Sequence, residues 1–226
     1  MKIVIIGGQG TPIVIADQMY DASVRFGMDI EVLGLALDDH TMGNEISGYP
    51  ILCGIREVYD KFKHDDDVKF VFSLYRSDHI RERTAILQSL NIPLERFCNF
   101  IHPSAMVARS VKMGHGNIVL ANCVINSNAM LGNFNTFNSG TLIGHDITMG
   151  NNNFFAAQVT VGSLLSIGNM NFFGLNSSIK GGVHIGDGVL VGQLSNVTKD
   201  FGPDEVVFGN PAHSHGAINK KPEKKY

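Results

Sequence analysis

A chain of 226 residues with 18 Lys and Arg against 21 Asp and Glu, net charge −3, has no excess of positive charge with which to hold nucleic acid. Three cysteines at unrelated spacings, Cys53, Cys98 and Cys123, make neither a disulfide framework nor a metal site and predict a reducing, cytoplasmic setting. The opening MKIVIIGG lacks the regions of a signal peptide, and no apolar stretch approaches the ~18 residues that insertion into a membrane requires.

The first third of the chain alternates strands and helices. Lys2–Ile6 is a continuous aliphatic run ending at Gly7-Gly8, the pattern of a buried parallel strand. A helix is predicted from about Pro12, a residue suited to a first helical turn, to about Arg25. Ile30–Leu37 reads as a second strand, followed by a loop with Gly43, Gly48 and Pro50 and a short helix near Ile55–Phe62. Val68–Leu74 is a third strand and Asp78–Leu90 a third helix. Such alternation predicts a small parallel α/β domain, Rossmann-like in order, over residues 1–95.

A different rule governs residues 96–212. Every sixth residue from Ile101 to Val197 is apolar, seventeen in succession, which chance would produce about once in a million registers at 44% apolar content. A six-residue period excludes an amphipathic helix, and it excludes hairpins with turns every 8–12 residues. It is the signature of a parallel β-solenoid, an all-β coil in which three hexads close one turn of eighteen residues. Nine of the sixteen positions that follow Val107 to Val197 are Gly, read here as relief for the corner backbone. Asn135, Asn153 and Asn171, eighteen apart, are expected to stack and pair their amides along the axis. Beyond Val197 the period stops; Gly202-Pro203 and Gly209-Asn-Pro211 read as turns, and 213–226 as a polar tail.

Three constellations carry possible chemistry. Gly7-Gly8-Gln9-Gly10-Thr11-Pro12 lets a phosphate approach backbone N–H groups at a helix start. It meets the dinucleotide fingerprint only at Gly8 and Gly10, which argues against NAD and leaves a nucleotide or nucleotide-sugar; an ordinary tight turn is the alternative. Asp38-Asp39 closes the second strand at the edge where parallel sheets bind ligands, with Ser73 on the same rim; a turn cap is the alternative. Gly144-His145-Asp146 puts an imidazole on an outward corner beside a carboxylate that can orient it, as a general base needs; a plain surface histidine is the alternative. His102, His115 and His184 read as junction or surface residues. The pair His213 and His215 is too few ligands for a metal site.

In this order, these features resemble the bacterial nucleotide-sugar N-acetyltransferases of the left-handed β-helix type. They comprise the bacillosamine-pathway family and the sialic acid O-acetyltransferase-like proteins grouped with it. The resemblance implies a homotrimer with acetyl-CoA between neighbouring β-helices and a nucleotide-linked amino sugar on the N-terminal domain. No metal is implied. Gln9, Gly10, Thr11, Asp38, Asp39 and Ser73 would contact the nucleotide-sugar, and His145 and Asp146 would be the base and its acidic partner. Phe154 stands where some members contact acetyl-CoA through a histidine, Thr11-Pro12 where His and Gly are common, and Ser73 where Gly is common. Ser163, eighteen residues after His145, offers a backbone N–H to an oxyanion, while Leu175 and Gln193 would line the donor groove. The implied activity is transfer of an acetyl group to a sugar amine without an acyl-enzyme. A sugar O-acetyltransferase and a non-catalytic nucleotide-sugar-binding solenoid are the alternatives.

Overall fold

The computed structural model describes residues 1–217 and resolves two compact units, Met1–Tyr75 with Ala85–Cys98, and Arg76–Thr84 with the chain from Asn99. In the first unit, β1 (Lys2–Ile6), α1 (Thr11–Phe26), β2 (Glu31–Ala36), β3 (Glu45–Ile46), β4 (Tyr49–Cys53), α2 (Val58–Phe62) and β5 (Val68–Phe72) follow in order, and α3 (Ile80–Ser89) crosses between the two. The sheet order is β3-β4-β2-β1-β5. β1 lies in parallel between β2 and β5, and Ile3, Val4, Ile5 and Ile6 have no exposed surface. This explains the unbroken aliphatic run: a central parallel strand has two covered faces. The loop expected between the second strand and second helix is instead the β3–β4 hairpin, whose second strand pairs in parallel with β2. Pro50 lies in that hairpin, and Gly34 makes room for it, since a Cβ at 34 would stand 2.3 Å from the Pro50 carbonyl oxygen.

In the second unit, seventeen two-residue strands run from β6 (Phe100–Ile101) to β22 (Asn196–Val197), and the second residue of each is one of the seventeen apolar hexad positions. They sort into three sheets, with every third strand paired in parallel to the one a turn earlier, so that Ile125 lies beside Ile143 and Ile143 beside Val161. The inner face is closed, and Phe137, Phe155 and Phe173 stack within it at centroid separations of 5.0 and 4.5 Å.

The corners obey a rule different from the expected one. The residue three after each apolar position adopts positive φ without a break from Gly116 to Leu194, and most of these residues are not glycine. Asn recurs there because it tolerates the left-handed region. The hexad glycines have another cause: a Cβ at Gly144 would lie 2.4 Å from the carbonyl oxygen of Gly162, and one at Gly132 would lie 2.6 Å from that of Gly150. They permit close stacking of backbones between turns.

Buried Asn side chains link the turns. Asn135 Nδ2 donates to Asn117 Oδ1 at 3.1 Å, Asn153 Nδ2 to Asn135 Oδ1 at 2.9 Å and Asn171 Nδ2 to Asn153 Oδ1 at 3.0 Å. A second ladder of Asn133, Asn151, Asn169 and Asp187, not anticipated, runs along a corner. After the last turn, β23 (Glu205–Gly209) joins β21 (Leu190–Val191) in parallel, and β24 (Ala212–Ala217) returns antiparallel to it. Residues 213–217 of the expected polar tail therefore form a strand, while Lys220, Lys221, Pro222, Glu223, Lys224 and Lys225 lie outside the described residues.

Candidate active site

His145 and Asp146 occupy the corner between β13 (Leu142–Ile143) and β14 (Thr148–Met149). Ile143 is buried and Gly144 lets the turns close, so the next two side chains project outward. The His145 ring is half exposed, and its Nδ1 lies 2.7 Å from Asp146 Oδ2. Asp146 takes φ 55°, a left-handed conformation that Asp tolerates better than most residues. Its other oxygen accepts from Asn128 Nδ2 at 2.9 Å, one turn below. The Asn128 amide, and then the His145 ring, hold the Asp146 carboxyl below the usual carboxylate range. A carboxylate on Nδ1 leaves the lone pair at Nε2, the geometry a general base requires. Asn128 escaped the sequence reading, although counting eighteen residues back from Asp146 finds it.

Ser163 lies one turn above His145, where its Oγ accepts the His145 backbone N–H at 3.1 Å. In the Asn corner each such N–H meets the side chain of the next turn, as Asn133 N–H meets Asn151 Oδ1 at 2.7 Å. Above Ser163 stands Gly181, which has no side chain, and among the described residues the Ser163 N–H has no hydrogen-bond acceptor. It is thus available as a donor in the column of the imidazole. An open cavity of about 400 Å³ adjoins Asp146, walled by Leu164, Val183, Ser166, His184 and Asp200.

Leu175 and Gln193 are exposed on a different corner, the one after the 8-stranded sheet, and Leu194 N–H to the Leu175 carbonyl at 2.8 Å fixes their stacking. Their corner and that of His145 are separate edges of one coil. Phe154 is 7% exposed and stacks on Phe172 at 5.1 Å, so its ring is packed and presents little surface to a ligand. His102 is also buried, its Nδ1 2.8 Å from Ser104 Oγ.

In the first unit, the residues predicted for the nucleotide-sugar gather at the carboxyl edge of β2, β1 and β5. Ile6 pairs with both Ala36 and Phe72, so Gly7, Leu37 and Ser73 leave the sheet side by side. Gly7 has φ 148°, and a Cβ there would lie 2.7 Å from Pro12 Cγ and 3.0 Å from the Ser73 carbonyl oxygen. Gly10 begins α1 with no side-chain cap. The Ser73 hydroxyl is buried without a hydrogen-bond partner among the described residues. Gln9 is exposed, its Nε2 3.7 Å from Met42 Sδ, and Thr11 is half-buried. Both carboxylates already serve the local backbone: Asp38 Oδ1 accepts from Ile55 N–H at 2.7 Å, and Asp39 Oδ1 from Thr41 N–H at 2.9 Å and its hydroxyl at 2.6 Å. The turn-cap role is present at both positions.

Sheets wound from six-residue rungs, three to a turn, define the hexapeptide-repeat β-helix fold. Among solved structures, the chain is similar to PerB of Caulobacter crescentus in complex with CoA and GDP-perosamine, with TM-score 0.77 and 23% identity over 96% of this chain and 98% of that one. It is also similar to the acetyltransferase domain of PglB of Neisseria gonorrhoeae in complex with acetyl coenzyme A (0.79 and 22%, over 94% and 98%), and to WeeI of Acinetobacter baumannii (0.76 and 20%, over 95% and 100%). At these identities the likeness is one of fold. No protein-family model and no curated protein matches the sequence. Among the described residues no cluster of three or more His, Cys, Asp or Glu side chains could hold a metal ion, and no helix is long and apolar enough to cross a membrane.

Proposed function

We propose that the protein is an acetyl-CoA-dependent N-acetyltransferase acting on the amino group of a nucleotide-linked amino sugar. The observation that carries this reading is the Asn128–Asp146–His145 chain on a corner of the coil, with an unused N–H at Ser163 one turn above. The free amine attacks the thioester carbonyl, and a new C–N bond forms as the carbonyl oxygen becomes an oxyanion. Ser163 N–H donates to that oxyanion, and such stabilisation is commonly a large part of the rate enhancement. His145 Nε2 removes the proton from the attacking nitrogen. Collapse breaks the C–S bond and releases CoA as thiolate, which takes up the proton. No residue forms an acyl intermediate.

In this reading Gln9, Gly10, Thr11, Asp38, Asp39 and Ser73 hold the nucleotide-sugar. The donor lies along Leu175 and Gln193 of one chain while its thioester reaches His145 of another. Because these are separate corners of one coil, the site requires a second copy beside the first. A homotrimer of left-handed coils in the cytoplasm satisfies that need. The neighbours' ligands, CoA with GDP-perosamine and acetyl coenzyme A, support the choice of donor and acceptor class. The experiment begins with a thermal-shift screen of UDP, dTDP and GDP, where a ligand at 100 times its Kd adds about 2.7 kcal/mol. His145→Ala then separates catalysis from binding. Loss of turnover by about 10²–10⁴-fold with CoA and nucleotide still bound is expected; an active variant would remove His145 as the base, and a wild type that binds without turning over would make the protein a binding module.

A further inference from the structure

The hairpin at the end of the coil carries a pair of rings that the chemistry above leaves unused. Phe208 and His215 stack face to face, 3.4 Å between centroids and 7° between planes, and both are exposed, Phe208 by 45%. The stacked pair covers one face of each ring and leaves an outer aromatic face available to a further planar group. Its location is set by register: Val191 pairs with Val207, so Phe208 stacks one rung beyond Gly192, whose missing Cβ would stand 2.8 Å from Phe208 Cβ. Phe208 therefore caps the corner column that rises from His102 through Leu120, Asn138, Ala156, Gly174 and Gly192, the corner that carries Leu175 and Gln193. At a strand spacing of about 4.8 Å, it stands roughly 19 Å along the axis from Asn138, in the same turn of the coil as His145.

We infer that Phe208 and His215 form a stacking platform for the purine of acyl-CoA. This deepens the acyltransferase reading and rests on it. A donor with its thioester at the level of His145 and its pantetheine arm along Leu175 and Gln193 carries its adenine to the end of this corner, where a π-face awaits it. Base–aromatic stacking tolerates exposure and is worth a measurable share of affinity. A purine could also come from a guanine nucleotide-sugar, so the test uses three titrants, CoA, 4′-phosphopantetheine and GDP, in calorimetry with the full chain. Phe208→Ala is expected to weaken CoA by about 5- to 150-fold and to leave phosphopantetheine and GDP unchanged, with Phe208→Trp restoring affinity. His215→Ala, on an exposed strand, should act in the same direction and serves if Phe208→Ala fails to fold. Unchanged CoA affinity in both alanine variants, equal loss for CoA and phosphopantetheine, or a loss confined to GDP would each overturn the platform while leaving the acyltransferase reading standing. A wild type that binds neither CoA nor phosphopantetheine would overturn both.

Discussion

Asn153→Ala tests whether the internal amide column holds the coil together. Asn153 has no exposed surface. Its Nδ2 donates to Asn135 Oδ1 and to the Gly168 carbonyl, each at 2.9 Å, and its Oδ1 accepts the Asn171 N–H at 2.9 Å and Asn171 Nδ2 at 3.0 Å. Truncation removes all four bonds and strands two donors of Asn171 where water has no access. A stranded buried polar group costs about 1–3 kcal/mol, so the variant should lose about 3–5 kcal/mol, a large fraction of a typical domain's stability. Asn99→Ala is the control. Asn99 is exposed at the end of the same column, its Oδ1 accepting the Asn117 N–H at 2.8 Å, so water can replace it and the loss should be about 1 kcal/mol. Urea unfolding followed by circular dichroism, at one protein concentration because any self-association would add to apparent stability, measures both. If Asn153→Ala costs no more than Asn99→Ala, the buried amides do not bear the load assigned to them.

Asp146→Asn removes the carboxylate that orients the ring through Nδ1, so turnover in a steady-state assay should fall, but by less than in His145→Ala, where the ring itself is lost. Since the Asp146 carboxyl is held below the usual range in the folded chain, the stabilising contribution of its bonds is present above the unfolded-state value and is lost as pH falls through the folded one, so the Asn128–Asp146 contact should persist across neutral assays and fail only in acid. Gly144→Ala places a Cβ 2.4 Å from backbone and should cost about 1–3 kcal/mol or more with loss of turnover, whereas Gly182→Asn, at φ 79° with nothing within 4 Å, should be nearly neutral in thermal melts. Asp39→Ala should weaken nucleotide-sugar binding in calorimetry and leave acetyl-CoA affinity unchanged; equal loss for both ligands would refute the division of roles between the units.

The coil is legible residue by residue because one apolar side chain must enter it every sixth position, and all seventeen predicted positions lie in strands. The role of the glycines was not legible, because the atoms they avoid belong to the next turn, eighteen residues away; only Gly162 in place explains Gly144. The β3–β4 hairpin has the sequence of a loop because Gly43, Gly48 and Pro50 punctuate it. The C-terminal hairpin was missed because Val207 opposes Val191, an offset of sixteen that breaks the period. At the candidate site, the His145–Asp146 contact follows from adjacency and corner geometry. The local duties of Asp38 and Asp39 do not, since a carboxylate capping Ile55 or Thr41 gives no signal until the loops have a shape. The family resemblance alone points to Phe154, and its packing against Phe172 comes from a residue eighteen positions away.

Because like positions stack at intervals of eighteen, the chain behaves as a screw thread whose length is counted in turns. Deleting one residue between His145 and Gln193 would rotate every later side chain out of its column, so tolerable length changes come in whole revolutions. Adding eighteen residues there would keep each corner aligned and move Phe208 outward by one thread, about 4.8 Å. The distance between the reacting corner and the far end of the molecule is thus quantised, and a donor matched to it would be measured against a ruler with marks one turn apart.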